Sequence, residues 1–221
     1  EVLAESGRWA PAEGALRRAV QLAPDDAGTR EALGWVLFVR GWLAKDASGR
    51  AGDAASSERY LAASAEFEAA LALGFAAGDP LRRRGVELLR AYARGDGAAV
   101  LEFAQDLLPG LGDRPGSERA YWVCSLASAT SSRLSLCDSA LAACPGYAFA
   151  LVTRGMVRLQ AGDHAPAIAD FGAAVELLPG TSQFRNDLAA AYYLSGNHAA
   201  AIEQSARAIA ADPEEATYWN V

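Results

Sequence analysis

The chain has 221 residues, of which 52% are hydrophobic, and it carries a formal net charge of −7. A chain of this size and apolar content can bury a substantial core. Its acidic balance disfavours general binding to nucleic-acid phosphates or anionic lipid, since both need a basic surface. No apolar run reaches the ~20 residues of a membrane span, so we expect a soluble protein with no membrane insertion.

The composition also predicts the secondary structure. Alanine is abundant, β-branched residues are sparse, and windows such as 61–73 contain neither Gly nor Pro. These features favour helix along almost the whole chain. The alanine- and arginine-rich, lysine-poor usage is typical of a GC-rich bacterial genome. Because the chain starts at Glu1 without Met, we expect a native N-terminus upstream; the compartment stays open, with cytoplasm favoured.

The N-terminal segment, 1–43, introduces a spacing that returns later. A short helical end at 1–6 is followed by Gly7, and Pro24 ends the next helix. Gly41 lies 34 residues after Gly7. Such a fixed spacing is typical of stacked helical hairpins.

The middle segment, 58–145, follows the same scheme less regularly. Residues 45–57 read as a loop insertion rich in Asp, Ala, Ser and Gly. After the insertion, we predict helices at 60–74, 80–94, 97–108, 117–128 and 131–143, with a long linker at 109–116.

The C-terminal segment, 146–221, shows the spacing most clearly. Four residues recur 34 positions later, namely Gly162, Ala167, Ala174 and Pro179 as Gly196, Ala201, Ala208 and Pro213. The glycine allows the chain to reverse after the first helix, the alanines let the second helix pack closely, and the proline ends it. We predict first helices at 148–161 and 182–195 and the start of another at 215–221.

These residues resemble the tetratricopeptide repeat (TPR) family. The family motif has a small residue within the first helix, matched by Gly34 and Gly155, and an aromatic within the second, matched by Phe67 and Phe171. The resemblance implies one all-α domain over 1–221, a right-handed solenoid of about five to six hairpins that is incomplete at both ends.

In the family, the first helix of each repeat lines a concave groove that binds a partner segment. Carried over position by position, the groove contains Glu31, Trp35, Phe38, Arg82, Leu89, Tyr92, Arg119, Trp122, Phe149, Met156, Leu159, Asn186 and Tyr193. This set is apolar and aromatic, which favours an apolar peptide or helix as the ligand. Trp35 and Trp122 are the candidate anchors, unless they only fill space against the irregular middle repeats.

The sequence offers no catalytic or metal-binding pattern. His164 and His198 share one repeat position with Trp9, which indicates packing at the turn between the two helices of a hairpin. The three cysteines lack metal-ligand spacing, although a Cys124–Cys137 pair stays open. Motifs of hydrolases, nucleotide-binding loops and metalloproteases are absent, and we expect no enzyme activity, no metal and no cofactor.

The most direct functional interpretation is a non-enzymatic module that binds a protein or peptide segment. Two alternatives remain open. The chain could be a regulatory or substrate-recruiting arm of a larger multidomain enzyme, or it could be a scaffold that self-associates.

Overall fold

A computed structural model describes residues 7–44, 54–112, 117–128 and 130–211, and within these ranges it contains α-helices and no strand. We number the helices in chain order. They are α1 (Trp9–Leu22), α2 (Ala27–Leu43), α3 (Ala54–Ala72), α4 (Pro80–Ala93), α5 (Gly97–Leu111), α6 (Ser117–Ala127), α7 (Thr130–Ala143), α8 (Ala148–Gln160), α9 (His164–Leu177), α10 (Ser182–Leu194) and α11 (His198–Ala211).

The helices form two layers of a helical repeat solenoid. Each helix packs against the next one along the chain. The even-numbered helices α2, α4, α6, α8 and α10 also contact one another in succession and make up the inner layer. Five hairpins, from α2–α3 to α10–α11, therefore stack side by side, and α1 precedes them. The predicted all-α solenoid is confirmed.

Turns between the helices follow from local sequence. Gly95, Gly162 and Gly196 each follow the first helix of a hairpin and adopt φ values of +72°, +84° and +84°. Only glycine adopts this left-handed conformation at low cost, so these positions end the helix and reverse the chain. At the other end of the turn, Asp96 caps α5 by accepting a hydrogen bond from the Ala99 N–H.

Close approach of the two helices within a hairpin explains the small residues of the first helix. A Cβ atom built on Gly34 would lie 2.7 Å from the Phe67 ring, and one on Gly155 would lie 2.9 Å from the Phe171 ring. Both phenyl rings are fully buried. The small residue and the aromatic residue of the motif are thus one packing unit.

The irregular middle differs from the prediction at two boundaries. Helix α3 begins at Ala54, within the stretch predicted as an inserted loop, and α5 continues through Pro109 to Leu111, within the predicted linker. A proline in the last turn removes only one helical hydrogen bond, which α5 tolerates. The predicted helical ends at 1–6 and 215–221 lie outside the described residues, as do 45–53 of the insertion and 113–116 of the linker.

Candidate functional site

Five aromatic side chains of the inner layer pack on one another and form what we call the aromatic core: Trp35, Phe38, Trp42, Trp122 and Phe149. The ring centroids of Trp122 and Phe149 are 5.0 Å apart, and those of Trp42 and Trp122 are 5.2 Å apart. Trp42 and Phe149, on α2 and α8, are 5.8 Å apart. The first and fourth hairpins therefore meet across the interior of the solenoid.

Residues at the start of α1 also contact the interior of the solenoid. The Trp9 indole N–H donates a buried hydrogen bond of 3.0 Å to the Thr181 hydroxyl, which lies 172 residues away at the start of α10. The Trp9 ring also lies 5.7 Å from the Phe149 ring. At Gly7, a Cβ atom would come within 2.5 Å of the Thr181 hydroxyl oxygen. Trp9 thus joins the two ends of the described solenoid instead of only packing a turn.

The aromatic core corrects part of the groove prediction. Phe38, Trp122 and Phe149 are 0%, 0% and 5% exposed, so they do not line an open channel, and Leu89, at 2% exposed, offers only a small surface. The Trp122 indole N–H is satisfied by the Thr153 hydroxyl at 2.9 Å. These side chains are buried because inner helices that are distant in sequence converge on them.

Other predicted groove residues keep some accessible surface. Tyr193 is 62% exposed. Arg82 is exposed, while Glu31 is almost fully buried. The half-buried members are Trp35, Tyr92, Arg119, Met156, Leu159 and Asn186.

A cleft of about 400 Å³ opens between α2, α4, the end of α5 and α6, and we call it the α4 cleft. It brings together four of the predicted groove residues, Glu31, Arg82, Leu89 and Arg119. Sequence reasoning missed its other charged lining residues, Asp79 and Glu118. The Asp-Pro and Ser-Glu pairs that begin α4 and α6 indicated only helix starts, since no local signal says that the two starts are neighbours.

Arg119 organises one side of the α4 cleft. Its guanidinium lies 2.8 Å from a carboxylate oxygen of Glu31 and 3.9 Å from the centroid of the Trp35 ring. The ion pair joins α6 to α2, and the stacking covers part of the Trp35 face. The charged rim of the cleft and the aromatic core are therefore in direct contact.

An apolar wall forms another side of the cleft. Leu81, Val86, Leu89 and Leu111 line it together with Gly85. A Cβ atom on Gly85 would have no neighbouring atom within 4 Å, so the cleft is open at this position. A charged rim beside an apolar wall is a common lining of ligand pockets.

Comparison with known proteins identifies the fold. Residues 158–221 match the tetratricopeptide repeat model. The thermophilic TPR protein TTC0263 of Thermus thermophilus superposes with a TM-score of 0.62, at 22% identity over 86% of this chain and 93% of that one. The chain therefore has the fold of a tetratricopeptide-repeat solenoid. A search of curated proteins by sequence gave no match.

Two further solved structures share the TPR fold. YrrB, described as a TPR protein with an unusual peptide-binding site, superposes with a TM-score of 0.51 at 16% identity, covering 92% of this chain and 95% of that one. Human IFIT1, solved as a dimer with PPP-AAAA, superposes with a TM-score of 0.62 at 15% identity. That match covers 92% of this chain but only 46% of IFIT1. These identities establish the fold alone. TPR solenoids are generally protein-interaction modules.

The histidines and cysteines of this chain lie outside the α4 cleft. His164 is half-buried at the start of α9, and the exposed His198 ring packs 5.1 Å from Tyr193 across the turn at Gly196. Cys124 and Cys137 are both free thiols, so the pair left open by the sequence does not form. Burial raises the pKa of Cys124 to about 12, which leaves it a protonated, unreactive thiol.

Within the described ranges, no group of three or more His, Cys, Asp or Glu side chains could hold a metal ion. None of the helices described here is both long and apolar enough to cross a bilayer.

Proposed function

We propose that this TPR solenoid is a non-enzymatic module that binds a segment of a partner protein in the α4 cleft. The observation that carries the proposal is the cleft itself, with a volume of about 400 Å³ and both charged and apolar lining residues. Pockets of this kind bind ligands by burying apolar groups and orienting them with a few polar contacts.

The aromatic core has a different role in this proposal. Its rings already bury one another, so binding a partner there requires separating packed rings such as Trp122 and Phe149, which are 5.0 Å apart. The α4 cleft needs no such rearrangement, because Gly85 faces empty space. Partner contacts at Met156, Leu159, Asn186 and Tyr193 stay a prediction for a longer segment.

The partner that we propose is a protein and not a nucleic acid. The chain has a formal net charge of −7, which opposes phosphate binding. YrrB, whose structure is described by its peptide-binding site, supports a peptide ligand on this fold. IFIT1, solved with PPP-AAAA, shares the fold. Whether RNA binds here is checked directly by an electrophoretic mobility assay, in which we expect no shift.

Substitution of Gly85 by Phe tests the proposal. The side chain enters open space in the α4 cleft, so Gly85→Phe should fill the cleft while the protein stays folded. Gly172→Phe is the matched control, because Gly172 is also a mid-helix glycine with no atom within 4 Å of an added Cβ, on α9 and outside the cleft.

The assay starts from 12-residue peptides selected on the wild-type protein from a random display library. We expect Gly85→Phe to abolish binding of the selected peptides and Gly172→Phe to retain it, with circular dichroism melts confirming that both variants fold. Equal binding by both variants would place the site elsewhere, and a selection that enriches no peptide would refute peptide binding.

Self-association is the alternative that one observation favours. Ile202 and Ile209 on α11 are 72% and 51% exposed and lie one above the other at helical spacing. They would contribute an apolar face to a contact between copies. A concentration series in static light scattering distinguishes a constant monomer mass from association.

A further inference from the structure

We propose that the bound segment presents an acidic side chain, Asp or Glu, to Arg82 where helices α4 and α6 begin, with an apolar neighbour against the wall of the α4 cleft. This inference rests on the proposed function and specifies its ligand. It adds a charged contact to the apolar peptide or helix that the sequence favours as the ligand.

Arg82 differs from its neighbouring arginines in its ion pairing. Its neighbours in sequence are paired, since Arg83 lies 3.2 Å from Glu87, and Arg84 lies 2.8 Å from Glu87 and 2.9 Å from Asp106. Arg82 has no ion pair among the described residues, and its guanidinium stacks 4.6 Å from the Phe75 ring centroid. Stacking holds the group in place while leaving its N–H donors available to a ligand.

Helix starts add to the attraction for a negative charge. Helix α4 begins at Pro80 and α6 begins at Ser117, and both starts border the cleft. The amino-terminal end of a helix carries a partial positive charge and N–H groups without helical acceptors. The Asp79 carboxylate already caps α4, so the start of α6 is the end that favours a carboxylate over a cation.

Ser117 supplies an independent indication of a polar ligand. This residue lines the cleft and is 3% exposed, yet its hydroxyl has no hydrogen-bond partner in the described part of the chain. A buried hydroxyl without a partner destabilises the structure that buries it. A carboxylate at the start of α6 would accept its hydrogen bond.

None of the acidic residues that line the cleft forms an ion pair with Arg82 in the described part of the chain. Glu31 is neutralised by Arg119 at 2.8 Å. The Asp79 carboxylate caps α4 by accepting the Arg82 backbone N–H at 3.0 Å, and Glu118 is engaged in an interaction of its own. Leu89 and Val86 border the same cleft, which accounts for the apolar neighbour in the ligand.

The test is a thermodynamic cycle on peptides from the random library. Each selected peptide is synthesised with an acetylated N-terminus and an amidated C-terminus, and again with its acidic residue replaced by Gln or Asn. Fluorescence anisotropy gives the Kd for wild type, Arg82→Gln and the control Arg83→Gln, whose native arginine pairs with Glu87. A second set with free C-termini separates side-chain from C-terminal carboxylates.

We expect the acidic peptide to bind wild type and Arg83→Gln about tenfold more tightly than its amide version, as a charge-assisted contact predicts. Arg82→Gln should bind both versions equally. Three outcomes would each overturn the inference. The selected peptides could lack acidic residues, or the ratio of the Kd values for the acidic and amide versions could be the same in Arg82→Gln as in wild type. The ratio could also depend only on a free C-terminus. In those cases, loss of binding in Gly85→Phe would still uphold the proposed function, whereas recovery of no peptide would refute both.

Discussion

At the scale of single residues, the buried carboxyl of Asp187 has an unusual environment. It lies on α10, and its only described hydrogen bond comes from the Gln183 side-chain amide at 3.0 Å. One Asp187 carboxyl oxygen and the Gln183 carbonyl oxygen have no donor within the described ranges. Burial raises the pKa of Asp187 from 3.8 to about 7, and the Gln183 hydrogen bond offsets only part of that shift.

This raised pKa predicts the pH dependence of stability. The folded protein keeps the Asp187 proton up to about pH 7, whereas the unfolded chain releases it near pH 4, so the folded state binds more protons in between. Stability is therefore lost as pH rises through this window, by at most about 1.4 kcal/mol per pH unit. Asp187→Asn, which cannot ionise, should raise Tm relative to wild type at pH 8 more than at pH 5.

Thermal melts between pH 4 and pH 8 check this prediction, with Asp163→Asn, at an exposed position, as the control. Parallel profiles for wild type and Asp187→Asn would show that Asp187 does not titrate in this range.

At the scale of elements, one ion-pair network connects three consecutive helices. The buried Asp170 of α9 lies 2.7 Å from both Arg154 and Arg158 of α8. Arg154 also lies 2.8 Å from Asp138 of α7. These carboxylates raise the pKa of Arg154, with the Asp170 hydrogen bond as the largest cause. The network fixes the third hairpin against the fourth.

Removing the buried member of the network should destabilise the fold most. Asp170→Ala removes the carboxylate that two partly buried guanidinium groups share, leaves Arg154 only its exposed partner Asp138, and should cost about 3 kcal/mol. Asp138 is 60% exposed at its side chain, so Asp138→Ala should cost less than about 1 kcal/mol. Urea unfolding followed by circular dichroism measures both, and equal losses would contradict the assignment of Asp170 as the central partner.

Element-scale features were largely predictable from sequence. The starts of α4, α6, α8 and α10 agree with the predicted helices, because proline, serine and glycine at hairpin boundaries act on the local backbone. The boundary of α5 was wrong, since Pro109 lies in the last turn, where neighbouring helices outweigh the loss of one hydrogen bond.

At the scale of the whole molecule, the two ends of the described solenoid meet. The Gly7 turn and Thr181 are in van der Waals contact, and Trp9 adds a buried hydrogen bond. This contact holds the inner helices around the aromatic core. It also restricts the accessible part of the inner face, which leaves the α4 cleft as the site that we propose.

The contact between the two ends of the described solenoid can be tested with a pair of glycine substitutions. Gly7 and Gly74 have similar φ values of +76° and +83°, but only the Gly7 Cβ would clash with Thr181, while the Gly74 Cβ would meet no atom within 4 Å. Both alanine variants carry the conformational penalty of about 1 kcal/mol. Gly7→Ala should lose at least about 1 kcal/mol more and should increase the radius of gyration in small-angle X-ray scattering. Identical behaviour of the two variants would mean that the ends do not touch in solution.

Sequence by itself determined the helices, the spacing of 34 residues and the pairing of small and aromatic residues such as Gly155 with Phe171, because each depends on neighbours within one hairpin. Only the tertiary structure decided that Trp122 is buried, that Trp9 reaches Thr181 and that Arg82 and Ser117 border one cleft. The reason is geometric. Small packing angles between successive hairpins add up along the solenoid, and their sum, which no local pattern encodes, sets which distant side chains meet.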